Sequence, residues 1–145
     1  MSTEFGVVCP KLPAVGHVSG MVSVLMQSLL ATRTVEVRVA FDDDATWAAY
    51  LGSTIMAIGT IIPPGRHEFA DSEFLSLDPA RRGDELALLV VIVLAATVAT
   101  LSDGLVLDEY QMLGGGTIKG EEIIFAAMAR SPQSISDILQ RIRSR

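Results

Sequence analysis

Leu86-Ala-Leu-Leu-Val-Val-Ile-Val-Leu-Ala-Ala-Thr-Val-Ala-Thr-Leu101, set between Asp84-Glu85 and Ser102-Asp103-Gly104, decides the class of this chain. The run holds no charge, and a helix drawn through it has no polar face. Such a helix must be buried on every side, inside a fold or inside lipid. At the helical rise the run is about 25 Å long, short for a bilayer span, and its flanks lack an aromatic belt. Two further uncharged stretches, Leu12–Thr32 and Ala45–Gly65, are interrupted by glycines and polar stripes. Between them Val35-Glu-Val-Arg-Val-Ala-Phe41 alternates strictly, as a half-buried strand does. A strand with a polar face needs a sheet and water. The run 86–101 is therefore expected as a buried central helix of a globular domain, with no membrane span.

The 145 residues suffice for one domain, 1–145, with a core that needs no disulfide or metal. Half of them are hydrophobic and 19% are charged, a low share that raises the weight of a membrane or of a large partner interface. A net charge of −6 disfavours nucleic acid, whose phosphates need clustered Lys and Arg. It suits basic partners. The one cysteine, Cys9, excludes an internal disulfide framework and fits the cytoplasm. Export by a signal peptide is not expected, because Glu4 stands where a base belongs and Pro13, Gly16, His17 and Gly20 interrupt the apolar stretch after Lys11.

Along the chain, Phe5–Cys9 reads as a first strand and Ala14–Thr32 as a helix with Val18, Met21, Val22, Leu25 and Leu29 on one face. The opposite face, Gly16, Ser19, Gly20, Ser23 and Gln27, is small and uncharged, a second packing surface within the domain or an interface. Asp44 is expected to cap a helix in which Trp47, Leu51, Ile55 and Ile58 continue one stripe, with extended chain from Gly59 to Ile62. Residues 66–77 read as extended, and Asp78-Pro79 as a helix start, with the central helix proper beginning at Asp84. Gly104 reads as its stop, and Leu105–Leu113 as a strand or bent pair. Gly114-Gly115-Gly116 is then a turn, and Glu121–Arg130 a short helix. A last helix carries Ile135, Ile138, Leu139 and Ile142 on one face and Arg141, Arg143 and Arg145 at its end. The fold class expected is α/β or α+β, a single domain whose four- to six-stranded sheet is packed by four or five helices.

No catalytic constellation emerges. His67-Glu68-Phe-Ala-Asp71 has zinc-protease spacing but follows Pro63-Pro64-Gly65 in extended chain, where the ligands diverge. Gly114–Gly120 lacks the Gly-Lys-Ser/Thr order of a phosphate loop, and Glu121-Glu122 would repel a phosphate. Asp42-Asp43-Asp44 lacks the spaced ligands of a calcium loop and reads as a helix cap or a negative contact patch. Asp103, Asp108, Glu109 and Tyr110 form a second acidic group, in which 108 and 109 on a strand point to opposite faces. Cys9, beside Pro10 in an apolar run, has the setting of an inert thiol. No metal, cofactor or enzymatic activity is expected.

The segment Ala95-Ala-Thr-Val-Ala-Thr-Leu-Ser-Asp-Gly-Leu-Val-Leu-Asp-Glu109, a helix-Gly-strand-acid pattern, together with the acidic balance and small size, resembles the bacterial immunity proteins of polymorphic toxin systems. The resemblance implies a cytoplasmic protein that neutralises a cognate toxin by laying an acidic surface into its basic cleft, excluding substrate. Asp42, Asp43 and Asp44 are the first expected contacts, and Asp108, Glu109 and Tyr110 the second. Two other classes stand beside it. One is a structural subunit, dedicated chaperone or homodimer using the uncharged helix face 16–27. The other is a small enzyme whose site brings His17 or His67 near a carboxylate.

Overall fold

The uncharged run forms helix α2 (Glu85–Ser102), started by Asp84, whose carboxylate accepts the N–H groups of Leu86 and Ala87 at 2.9 and 3.3 Å. Every residue from Leu89 to Ala99 is buried, and each fully buried Leu, Ile or Val there contributes about 1.5–3 kcal/mol of transfer free energy. The hydroxyls on α2 are satisfied within the helix: Thr97 donates to the Val93 carbonyl and Thr100 to that of Ala96, each at 2.7 Å. Among the described residues α2 is the one helix long and apolar enough to cross a membrane, but 67% of it is buried by the protein itself. Its stop is Asp103, in the left-handed region at φ 56°, rather than Gly104. Gly104 is needed for closeness, because a Cβ there would stand 2.5 Å from the Val8 carbonyl oxygen.

The computed structural model describes residues 5–30, 36–63, 66–69, 71–109, 111–129 and 134–145. Around α2 the chain runs β1 (Phe5–Cys9), α1 (Val15–Leu29), β2 (Val37–Asp43), β3 (Thr46–Leu51), β4 (Thr54–Ile62) and β5 (Glu73–Pro79). After α2 come β6 (Leu105–Asp108), β7 (Gly116–Lys119), α3 (Gly120–Met128) and α4 (Ile135–Arg143). The strands form one antiparallel sheet in the order β2-β3-β4-β5-β1-β6-β7. Its inner face, Val39, Ala49, Ala57, Leu75, Leu77, Val7 and Val106 among others, shares a core with α1 and α2, over which α3 and α4 pack. The other face exposes Arg38, Ile58, Thr60, Thr117 and Lys119.

The class is α+β, but seven strands exceed the four to six expected, and two segments account for the difference. The helix expected after Asp44 is the hairpin β3–β4. Its stripe Trp47, Leu51, Ile55, Ile58 has helical spacing, yet Gly52 holds φ 63° at a two-residue turn, where a hairpin needs a positive φ. Trp47, Ala49 and Leu51 then share the inner face with period two. The second segment is Gly116–Lys119, expected within a turn, which pairs with β6 as the edge strand β7. Asp78-Pro79 ends β5 rather than starting a helix. The small face of α1 is partly used inside the fold, because the Ser19 hydroxyl accepts the Val39 N–H at 2.9 Å and covers the edge of β2.

Candidate functional site: an acidic and aromatic hairpin end

Strand β2 leaves the helix-covered part of the sheet before it ends. Phe41 pairs in register with Trp47, and their rings meet edge to face at 6.0 Å and 89°. Trp47 is 1% exposed and Phe41 53%, so the indole is a fixed wall and Phe41 the rim. The indole Nε1–H has no acceptor among the described residues, so packing alone places it. On the opposite face, the Arg38 guanidinium lies 4.6 Å from the centroid of Tyr50, a cation–π contact that stiffens the same strand pair. The chain then bulges between Phe41 and Asp43 and turns at Asp44-Ala45.

All three carboxylates of Asp42, Asp43 and Asp44 are exposed at this turn. One of them serves the turn itself, since Asp43 Oδ1 accepts the Ala45 N–H at 2.8 Å and closes it. Asp42 and Asp44 make no such bond among the described residues, and no Lys or Arg there pairs with any of the three. Helix capping, the expectation for Asp44, is corrected, because no helix follows. Like charges on three successive residues repel one another, and water keeps that cost small without turning it into a gain. Folding does not explain the surplus.

The second acidic group is not brought together. Asp108 is 2% exposed, and its oxygens accept the N–H groups of Met112, Leu113 and Gly115 at 2.9, 2.6 and 2.9 Å. It ties down the loop between β6 and β7, so the expectation that it contacts a partner is corrected. Glu109 is exposed at one rim of a groove of about 310 Å³, with Glu68 and Phe69 also lining it. Tyr110 lies outside the described residues. Asp103 caps α2 beyond the other end of β6, a strand's length from Glu109.

The remaining candidates take structural roles. His67 Nδ1 accepts the Phe69 N–H at 3.1 Å, and its ring packs with those of Phe69 and Phe74, the second of which lies over Gly6. Among the described residues no three His, Cys, Asp or Glu side chains converge to hold a metal. The Gly114–Gly116 triplet leads into β7, not into a helix N-terminus. His17 is exposed on α1. Burial pushes the Cys9 thiol up and the nearby Glu73 carboxylate adds to this, against hydrogen bonds from Ser102 and the backbone at Lys11. The folded state therefore holds this proton more tightly than the unfolded chain. That contribution to stability is full below the ordinary thiol range and is lost as pH rises through the folded pKa. Cys9 should accordingly react with an aromatic disulfide reagent at mildly alkaline pH only at the rate of unfolding; a fast, denaturant-independent reaction would contradict its burial.

No protein-family model, curated protein or solved structure matches this chain. Its own geometry and charge must carry the functional reading. Sequence reasoning missed Phe41, which reads as an inward strand residue by alternation. Only the sheet's extension past its helical cover exposes it, and the adjoining acids were the available signal.

Proposed function

We propose that this protein binds and neutralises a basic protein partner, in the manner of a toxin-immunity protein, by docking the end of the β2–β3 hairpin. One observation carries the reading: an exposed Phe41, braced edge-on by Trp47, stands beside the exposed carboxylates of Asp42 and Asp44, which folding does not use. An aromatic anchor within a polar rim is how interface energy is usually concentrated. A negative tip steers a positive cleft and, once seated, keeps anionic substrate out. Trp47 fixes the Phe41 ring beforehand, which lowers the ordering cost of binding. Glu109 and Glu68 form a separate negative rim that can add steering at a distance. A cytoplasmic location and action without cofactor or catalysis belong to the same proposal.

The two components separate kinetically. Against the partner, Asp42→Lys/Asp43→Lys/Asp44→Lys is expected to slow association about a hundredfold at low salt. Phe41→Ala is expected to speed dissociation about thirtyfold with association nearly unchanged. Surface-plasmon kinetics at two salt concentrations measure both, and an association rate untouched by the lysine variant would remove the acidic tip from the mechanism.

A second reading, a subunit acting through its helical layer, is favoured by one specific observation: Phe125 on α3 is 79% exposed.

A further inference from the structure

Helix α3 carries two charges, Glu121 and Glu122, and then only apolar residues from Ile123 to Ala129. Ile123 and Ala127 are buried, yet Phe125 and Met128 stand 79% and 44% exposed on its outer side. An outward helix face ordinarily carries charge. Beside Phe125 runs a groove of about 640 Å³ between α3 and α4, with Glu122 and Ala126 on one wall and Arg141 and Arg145 on the other. On the other flank lies α1, where residues 15–29 include no Asp, Glu, Lys or Arg and Val24 is 63% exposed. A strip of the helical layer is thus apolar and free of acids except at one end of α3.

We propose that a second copy of this chain covers this strip, with the two α3 helices antiparallel across a two-fold axis at Phe125. The charge pattern argues for this occupant. Glu121 and Glu122 lie one turn before Phe125. One turn after it sits the Arg141 guanidinium, held to the end of α3 by hydrogen bonds to the carbonyls of Ala126 at 3.2 Å and Ala127 at 2.6 Å. Reversal about Phe125 therefore lays each copy's two glutamates against the other copy's Arg141, whereas parallel pairing would set acid against acid. The helix dipoles also favour the antiparallel arrangement. Ala126 and Ala129 leave room for each Phe125 to seat in the facing groove. Elsewhere a chain of net charge −6 repels its own copy, so a two-fold contact, which sets each patch against itself, needs a region of this kind. The hairpin end is formed by other elements, and this inference does not rest on it.

Sedimentation velocity on the full chain, from low to high micromolar concentration, tests it with the variant Phe125→Lys. The introduced lysine would be spaced to pair with Glu121 and Glu122 along the helix, so the fold is kept, which circular dichroism verifies. The wild type is expected to dimerise and the variant to do so about a thousandfold more weakly, since each dimer loses two anchors and gains opposed charges. Glu121→Lys with Glu122→Lys is expected to weaken the dimer as well. A wild type that stays monomeric, including one that pairs only with an unrelated acidic protein, overturns the proposal. So does a Phe125→Lys protein that dimerises as tightly as the wild type, and tightening by the glutamate variants overturns the antiparallel register.

Discussion

Replacing Asp108 by Ala is expected to lower the unfolding free energy by about 3–5 kcal/mol, a large part of the stability of a domain this size. Its carboxylate is the acceptor for three backbone N–H groups, those of Met112, Leu113 and Gly115. A hydrogen bond to a charged group contributes about 1.5–3 kcal/mol, so three would exceed the figure given. The discount reflects Met112 and Gly115, which are half-buried, so their freed N–H groups partly find water in a loosened loop. Leu113 sets the lower bound, because it is 2% exposed and cannot hydrate without leaving the core. Asp108→Asn retains one carbonyl oxygen and should lose roughly half as much. Urea unfolding followed by circular dichroism measures both, and a loss under about 1 kcal/mol for the alanine variant would mean that the loop holds its shape without Asp108.

Two glycine-to-alanine changes are expected to move stability in opposite directions. In an open helical position alanine is favoured over glycine by about 0.5–1 kcal/mol. Gly20 on α1 is such a position, with nothing within 4 Å of where its Cβ would stand, so Gly20→Ala should stabilise by that amount. Gly120, the first residue of α3, meets α2 closely: a Cβ there would lie 2.3 Å from the Ala96 carbonyl oxygen and 2.5 Å from Thr100 Oγ1. The Thr100 hydroxyl already donates to that same carbonyl, so neither atom can swing away cheaply. Forcing α3 off α2 costs about 2–3 kcal/mol, more than the helix preference returns. Gly120→Ala is therefore expected to destabilise by about 2 kcal/mol net. Equal midpoints for the two variants would show that the α2–α3 contact yields.

Elements whose pattern has one physical solution were legible in the sequence. No exposed helix tolerates the composition of α2, and no amphipathic alternative suits Ile135, Ile138, Leu139 and Ile142 of α4, of which the last three are buried. The hairpin β3–β4 was not legible, because Trp47, Leu51, Ile55 and Ile58 satisfy a helical period while Trp47, Ala49 and Leu51 satisfy a strand period. Gly52-Ser53 was the deciding turn signal, and the apparent cap at Asp44 outweighed it. Strand β7 was hidden for a different reason: its four residues begin at the last of three glycines, and only pairing with β6 makes them a strand.

The candidate site divides the same way. That Asp42–Asp44 is a run of acids outside the core could be read locally, but the turn it forms could not, because that depends on β3 pairing back onto β2. That Asp108 is a buried clamp could not, since it depends on N–H groups four to seven residues ahead folding back onto it. Phe41 and Phe125 are exposed for reasons of tertiary geometry, one at the end of helical cover and one on the outside of the helical layer. A residue type does not reveal which of its faces the fold leaves uncovered.

The most direct test of hairpin docking is quantitative affinity capture from native lysate. Wild type, the triple lysine variant at 42–44 and Phe125→Lys are run side by side, with washes at low and high salt. The expected result is one stoichiometric partner with a basic surface, retained by wild type and by Phe125→Lys, released by high salt and absent from the triple lysine variant. Equal recovery of that partner by the triple lysine variant, or its loss only in Phe125→Lys, would contradict docking through the hairpin and move the interface to the helical layer.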